Sequence, residues 1–435
     1  MRTDACFICP RSDYLFSNTP YIPLGVGYLA ATLNGLFGLG IVDGTVLERQ
    51  EYDDALASAD SKAILISCTL VQLKEGLRIA DLVKQKSPDT LTVMGGPAFG
   101  SVPTESLVRG HKVDVVVIGE AEKLIGCVVG SPDKDAIAGM LAGKYKVRDA
   151  NGTLEVSALS SKPDVDLLPY PLWDLFDTQR YMELWRQAVG MTSMQVMGSR
   201  GCPFSCAFCD KTVIGSKYRP RKVSDVVSEI ATIQGVFGYT EIFYNDDLFT
   251  TNEDRVVQMC RTIRKEVPAL QWSAQARVDT VTPVMLEEMV QSGCEEIYFG
   301  VESGSDRILE ILRKGITRDQ IEKAFDLCHR VGVKPGAYLI VGVPGERVED
   351  IDATISLLDN IKPTLLNYSY LTPFPGTEIY RNTAHLIAEP DYTLWDDFRR
   401  TVYQDACFEV PPHVSLQRIK SHYEQMLAAS LKCSS

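Results

Sequence analysis

Met194-Gln-Val-Met-Gly-Ser-Arg-Gly-Cys202-Pro-Phe-Ser-Cys206-Ala-Phe-Cys209 is the stretch on which the fold turns. Its first half, Met194–Ser199, reads as a strand, and it runs directly into a loop with three cysteines spaced C-x3-C-x2-C. Loop geometry at this spacing lets three thiolates converge on one small inorganic core. A [4Fe–4S] cube takes one thiolate per iron, so Cys202, Cys206 and Cys209 would leave one iron open to chelate a ligand's amine and carboxylate. Zinc competes for the same thiols, but a structural zinc site wants four ligands, usually as two pairs. The next cysteine downstream, Cys260, falls in a helical pattern, so the cluster is the better reading.

Working outward from this loop, strand–helix alternation continues to about residue 375. Strands are expected at Glu241–Asn245, Gln271–Arg277, Glu295–Val301, Lys334–Val341 and Leu366–Leu371, with helices between them. One helix opens with Thr282 as N-cap and Pro283 at the first helical position. Six such repeats over 194–375 predict a partial (β/α)6, TIM-like barrel whose chemistry collects at the strands' C-terminal ends. Residues 376–435 turn irregular and then helical near Gln417–Leu431, a mostly helical C-terminal extension.

Upstream, residues 1–128 also alternate. Strands are expected at Ala5–Cys9, Gly40–Asp43, Ala63–Cys68, Leu91–Gly95 and Val113–Ile118, with helices such as Leu24–Leu36 and Lys74–Gln85. Short, continuous apolar runs between helices mark a parallel sheet covered on both faces. Five of them suit a Rossmann-like, flavodoxin-like domain, making the chain α/β throughout. Residues 129–193 read as a linker with a hairpin at Lys144–Val156, built on the turn pair Asn151-Gly152. Pro163, Pro169 and Pro171 follow it.

The bulk numbers agree. A chain of 435 residues, 45% hydrophobic and 23% charged, has the material for two or three cores. Its formal net charge of -13 argues against a nucleic-acid partner, which needs basic surface to neutralise phosphates. No signal peptide is read at Met1-Arg-Thr-Asp-Ala-Cys6, and no stretch reads as a membrane span, so a cytoplasmic location is expected. Most of the twelve cysteines then read as buried apolar residues. Cys6 and Cys9, three apart on a strand, face opposite sides and read as core.

With the cysteine loop placed in a partial barrel, the sequence resembles the radical S-adenosylmethionine superfamily, and specifically its cobalamin-binding members. Ser199-Arg-Gly-Cys-Pro-Phe, Phe243-Tyr-Asn-Asp-Asp-Leu-Phe, Phe299-Gly-Val-Glu-Ser-Gly-Ser, Leu339-Ile-Val-Gly-Val-Pro-Gly-Glu and Thr372-Pro-Phe-Pro-Gly-Thr all match, in order. The resemblance implies that Cys202, Cys206 and Cys209 hold the cluster and that Phe208 packs near the adenine. It places Asp246 and Asp247 by the methionine amine, Glu302 and Ser303 by the ribose, and Ile340 and Gly342 along the adenine. Arg277 would meet the methionine carboxylate, with a structural ion pair to Asp279 or Glu302 as its competing role. Phe208 and Ile340 have simple core packing as theirs.

Pro23-Leu-Gly-Val-Gly-Tyr-Leu-Ala-Ala, Met94-Gly-Gly-Pro97 and Val117-Ile-Gly-Glu-Ala121 resemble the cobalamin-binding domain that precedes such barrels. The resemblance implies corrin contacts from Gly95, Gly96, Pro97, Gly119 and Glu120 at strand ends, where a ligand can lie against bare backbone. The D-x-H-x-x-G stretch of many cobalamin proteins is absent, because Asp43-Gly-Thr-Val-Leu-Glu carries no histidine. Thr69, Leu70, Val71 and Gln72 would then face the cobalt's lower side without a strong axial ligand.

Taken together, the resemblance implies an enzyme with a [4Fe–4S] cluster, S-adenosylmethionine and cobalamin. It would cleave S-adenosylmethionine reductively to a 5′-deoxyadenosyl radical and methylate an unactivated carbon (or phosphorus) of a small-molecule substrate. An external one-electron reductant of the flavodoxin or ferredoxin kind is implied as partner. The rival readings are a rearrangement, cyclisation or oxidation without methyl transfer, a first domain that no longer binds cobalamin, and a non-catalytic metal protein. Tyr181, Trp185, Tyr392 and Trp395 are candidates for closing over the barrel mouth, with packing between segments the preferred reading.

Overall fold

The computed structural model describes residues 2–15, 17–397 and 401–433. It divides into two compact units, the first comprising Met1–Gln195, Lys211–Gly215 and Asp391–Asp397, the second Val196–Asp210, Ser216–Pro390 and Phe398–Ser435.

The first unit is built on one seven-stranded sheet: β1 (Thr3–Cys9), β2 (Leu39–Asp43), β3 (Ser61–Ser67), β4 (Leu91–Gly95), β5 (Val115–Ile118), β6 (Lys146–Ala150) and β7 (Thr153–Ser157). Its order is β2-β1-β3-β4-β5-β7-β6, and β1 to β5 pair in parallel. That 2-1-3-4-5 order is the flavodoxin-like arrangement. The apolar runs are explained by it: every side chain of Val115–Ile118 is buried, as a strand covered on both faces requires.

The hairpin lies where Asn151-Gly152 placed it, with both residues at positive φ (57° and 90°). It does not stand in a linker, however. β7 pairs in parallel with β5, so the hairpin extends the sheet, and the largely exposed, charged β6 forms its edge. Nothing local in the sequence encodes a pairing between Val115 and Leu154.

The helix Thr178–Val189 follows, capped by the Asp177 carboxylate on the Arg180 N–H and closed by Gly190 at φ 77°. Tyr181 donates to Asp43 Oδ2 at 2.6 Å and Trp185 Nε1 to the Pro20 carbonyl at 2.7 Å, both buried. The turn Tyr392–Leu394 lies against the helix Leu73–Lys86 and the turn Leu70–Gln72, and Trp395 beside it is buried. All four aromatics therefore pack within the first unit.

A second, curled, open sheet consists of β8 (Ser193–Val196), β9 (Glu241–Tyr244), β10 (Gln271–Ala276), β11 (Cys294–Glu302), β12 (Lys334–Val341) and β13 (Leu365–Tyr370), and its strands from β9 onward belong to the second unit. They are neighbours in sequence order, and β9 to β13 are parallel. This is the partial barrel. The intervening helices start on side-chain caps: Asn252, Thr282 and Thr317 each accept an N–H from the first turn, and Pro283 sits where expected. Trp272 and Phe299 on the strands and Phe325 on the helix Arg318–Val331 are fully buried between sheet and helices. The helix Pro412–Cys433 packs on Val348–Ile361. Among the described residues, no helix is long and apolar enough to cross a membrane.

Candidate cluster and cofactor site

The residues singled out in the barrel fall at the C-terminal ends of its strands, the edge where such folds gather their chemistry. Asp246 and Asp247 follow β9, Arg277 follows β10, Glu302 ends β11 and Gly342 follows β12. The cysteine loop starts just past β8 and contains no regular element. Cys202 and Cys206 are half-buried and Cys209 is exposed.

Ala207 anchors this loop from both sides. Its N–H donates to the Leu312 carbonyl at 2.9 Å, and its own carbonyl accepts from Ile379 N at 2.9 Å. That second bond explains the Thr-Pro-Phe-Pro-Gly-Thr stretch: Thr377 caps the helix Glu378–Thr383, whose second residue is the Ile379 that holds the loop. Ala207 then sits in a buried apolar cluster with Ile308, Leu312, Val343, Leu371, Ile379 and Tyr403. Phe208 and Ile340, both only partly buried, lie against that cluster together.

The two aspartates brace the turn before Cys202. Asp246 accepts from Gly198 N–H and Ser199 Oγ, each at 2.6 Å, and Asp247 accepts from Gly201 N–H at 2.6 Å. Burial pushes the Asp246 carboxyl up to about 6, against the pull of those donors.

Glu302 stands out in the backbone. It ends β11 at φ 63°, a region L-residues rarely adopt, beside a break in register at Gly300. Its carboxylate accepts from Lys314 Nζ at 2.6 Å, and both side chains are over nine-tenths buried. A Cβ at Gly300 would come within 2.5 Å of Glu302 Oε1 and 2.6 Å of Lys314 Nζ, so a side chain there would displace the ends of the paired side chains. Ser303 is turned inward, accepting from Ser305 N–H at 3.1 Å and lying 3.3 Å from Thr354 Oγ1.

Arg277 makes the ion pair named as its competing role. Its Nε and Nη2 donate to the two oxygens of Asp279 at 2.9 and 3.0 Å, and Nη2 also donates to the Lys314 carbonyl at 2.8 Å. Nη1 donates to Cys206 Sγ at 3.5 Å, and the guanidinium lies 3.8 Å from the centre of the Phe204 ring. Lys314 is thus a residue that sequence reasoning missed, and it joins Arg277 through its carbonyl to Glu302 through its ammonium. It lies 37 residues from Arg277, and no local signal marks it.

Gly342, at φ 79°, donates its N–H to Glu346 Oε2 at 3.0 Å. Burial pushes the Glu346 carboxyl up from 4.5 to about 7. Because the fold favours the protonated acid, its contribution to stability is full below about 4.5 and is lost as pH rises through about 7. Glu346→Gln, which mimics the neutral acid, is expected to gain on the native chain as pH rises across that window. The gain is on the order of 2–3 kcal/mol, measured by urea unfolding at pH 5 and pH 8. An equal difference at both pH values would contradict the assignment.

Among the described residues, no three His, Cys, Asp or Glu side chains are gathered closely enough to share one metal ion. The three-cysteine loop fits a cluster better, because each thiolate then serves a different iron. The Arg277 contact on Cys206 suits a sulfur that carries negative charge.

In the first unit the sheet's C-terminal edge is lined by Pro10, Asp43, Thr69, Gly95, Gly96 and Gly119. Several glycines there serve the chain's own packing. A Cβ on Gly96 would meet the Cys68 carbonyl at 2.6 Å, and one on Gly119 would meet Leu159 N at 3.1 Å. A Cβ on Gly95 would lie 3.2 Å from the Val117 carbonyl. Gln72 is likewise occupied, its Oε1 accepting from Thr69 N–H at 3.0 Å and Thr69 Oγ1 at 2.9 Å, its Nε2 donating to the Pro10 carbonyl at 2.8 Å. The Thr69-x-x-Gln72 spacing is a capping box, a signal legible in the sequence. Leu70 and Val71 are buried, and Pro97 opens a short turn after Gly96. Glu120 is buried and paired with Lys162 at 3.3 Å. His111 lies before β5, at the opposite edge, 2.8 Å from Asp81. The one histidine in the first unit's sequence is therefore away from this edge, and a corrin bound there would be held without it.

Comparison with known proteins agrees with this geometry. Residues 196–358 match the radical SAM superfamily model and residues 17–127 the B12 binding domain model. An uncharacterized methyltransferase of Pyrococcus horikoshii is 31% identical over 365 residues, covering 82% of this chain and 77% of its own. The cytidylyl-2-hydroxyethylphosphonate methyltransferase of Streptomyces wedmorensis is 24% identical, covering 89% and 82%. Among solved structures, the radical S-adenosylmethionine methyltransferase TsrM of Kitasatospora setae, with cobalamin and a [4Fe–4S] cluster bound, shares the fold. It superimposes with a TM-score of 0.69 at 16% identity, covering 89% of this chain and 79% of its own. The chain belongs to the radical S-adenosylmethionine superfamily, among the members whose barrel follows a B12-binding domain, and its cofactors are a [4Fe–4S] cluster, S-adenosylmethionine and cobalamin.

Proposed function

We propose that this protein is a cobalamin-dependent radical methyltransferase that acts on an unactivated carbon or phosphorus of a small molecule. When bound, its cofactors supply the reductive cleavage of S-adenosylmethionine to a 5′-deoxyadenosyl radical and the methyl group to be transferred. The chain's residues position and enclose them. Cys202, Cys206 and Cys209 would ligate three irons of the cluster, on a loop anchored through Ala207. Asp246 and Asp247 set the turn before Cys202, and Asp247 faces the methionine amine. Glu302, held by Lys314, meets the ribose. Phe208, Ile340 and Gly342 enclose the adenine.

In the first unit Thr69, Leu70 and Val71 would face the corrin and Gly95, Gly96, Pro97, Gly119 and Glu120 would hold its tail, while the amide of Gln72 stays with the backbone it caps. The reductant is an external low-potential one-electron carrier, and the enzyme works in the cytoplasm. One observation carries the reading: three thiols, rather than four, stand on an anchored loop at the barrel's C-terminal edge in a chain that also has a B12-binding domain.

Anaerobic reconstitution followed by ultraviolet–visible spectroscopy tests it. Stoichiometric corrin uptake is expected, and methyl-labelled S-adenosylmethionine should pass its label to the product. A reconstituted chain that takes up no corrin contradicts methyl transfer.

A further inference from the structure

We propose that Arg277 acts on the cluster rather than on S-adenosylmethionine: it is a positioning residue that directs a fixed N–H and a positive charge at the Cys206 sulfur and so raises the cluster's reduction potential. The inference rests on the assignment of Cys206 as a cluster ligand.

Arginine has five N–H donors. Nε gives one to Asp279, Nη2 gives one to Asp279 and one to the Lys314 carbonyl, and Nη1 gives one to Cys206 Sγ, so at most one is left. The edge that would grip a carboxylate in the two-pronged manner is already filled by Asp279. Two-pronged capture of the methionine carboxylate on that edge would mean dismantling the Asp279 pair, and the other edge is engaged by Cys206 Sγ and the Lys314 carbonyl. The other edge, carrying Nη1, is the one turned to sulfur. Phe204, two residues after Cys202 in the cysteine loop, seats the guanidinium face from 3.8 Å, and the group is about nineteen-twentieths buried. Such an arrangement has no freedom to swing toward an incoming ligand.

The consequence is electrostatic. Reduction adds one electron to the cluster and breaks no bond, so it adds one negative charge shared by iron and sulfur. A donor hydrogen bond and a buried cation at a ligating sulfur favour the more negative state. Asp279 offsets part of that charge, but it binds the far edge of the guanidinium and leaves the positive end facing Cys206.

The test is a redox titration of the reconstituted protein without S-adenosylmethionine, followed by electron paramagnetic resonance of the reduced cluster. At the potential that reduces half the native clusters, Arg277→Gln is expected to lower the reduced-to-oxidised ratio about tenfold, which is 59 mV for one electron. Arg277→Lys, which keeps the charge without the fork, should fall between. A ratio within twofold of native in Arg277→Gln overturns the proposal, and with weakened S-adenosylmethionine binding it would return Arg277 to the carboxylate.

Should Arg277→Gln not assemble its cluster, Phe204→Leu, which unseats the guanidinium but keeps it, is titrated instead. A lowered ratio supports the proposal and an unchanged one overturns it. A native chain that forms no cluster contradicts the cluster assignment itself, whereas a native cluster indifferent to Arg277 contradicts only this inference.

Discussion

Cys206→Ala is expected to give a folded chain that no longer holds four irons and forms no 5′-deoxyadenosine above background. Each thiolate of a three-cysteine cluster serves its own iron, so losing one leaves an open corner where water or oxygen enters. The fold does not depend on this side chain. Cys206 is half-buried in a loop that is anchored through the backbone of Ala207. The stability cost should therefore stay within about 1 kcal/mol, the range for substitutions away from a core. Iron content, thermal unfolding and deoxyadenosine assay on one preparation separate the two effects. Full iron content in Cys206→Ala would remove this residue from the ligand set.

Glu302→Ala acts in the opposite way, on the fold before the chemistry. It leaves the Lys314 ammonium buried without its partner, beside a β-bulge already held at positive φ. Breaking a buried ion pair from one side costs about 3–5 kcal/mol. For a unit of this size that corresponds to a Tm lower by about 10 °C. The double variant Glu302→Leu/Lys314→Met removes both charges together and is expected to recover most of the loss. On the ribose role proposed for Glu302, its affinity for S-adenosylmethionine should still fall well below that of the native chain. Differential scanning calorimetry and equilibrium binding check the pair. A double variant no more stable than Glu302→Ala would show that the ion pair is not what holds the bulge.

Much of this was legible in the sequence because it is local. Three thiols in eight residues, apolar runs ending in Asp246, Arg277, Glu302 and Gly342, and the turn pair Asn151-Gly152 all lie within one loop or strand end. What the sequence did not show depends on distant partners. Lys314 reaches Glu302 across 12 residues and Arg277 across 37, and only the folded barrel brings them together. The hairpin was visible, yet its place beside β5 was not, since a strand's pattern does not name its neighbour. The same holds for Trp395, whose burial in the first unit joins a late segment to an early one. Gln72 is different: its capping box with Thr69 was written in the spacing, and reading it would have turned that amide away from a ligand.

Radical formation itself is the most direct measurement. Native protein, reconstituted anaerobically to four irons and supplied with S-adenosylmethionine and a low-potential one-electron reductant, is expected to release 5′-deoxyadenosine and methionine. Both are read by mass spectrometry, with Cys206→Ala as the blank. A native chain with a full, reducible cluster that leaves S-adenosylmethionine intact would contradict the assignment of the open iron.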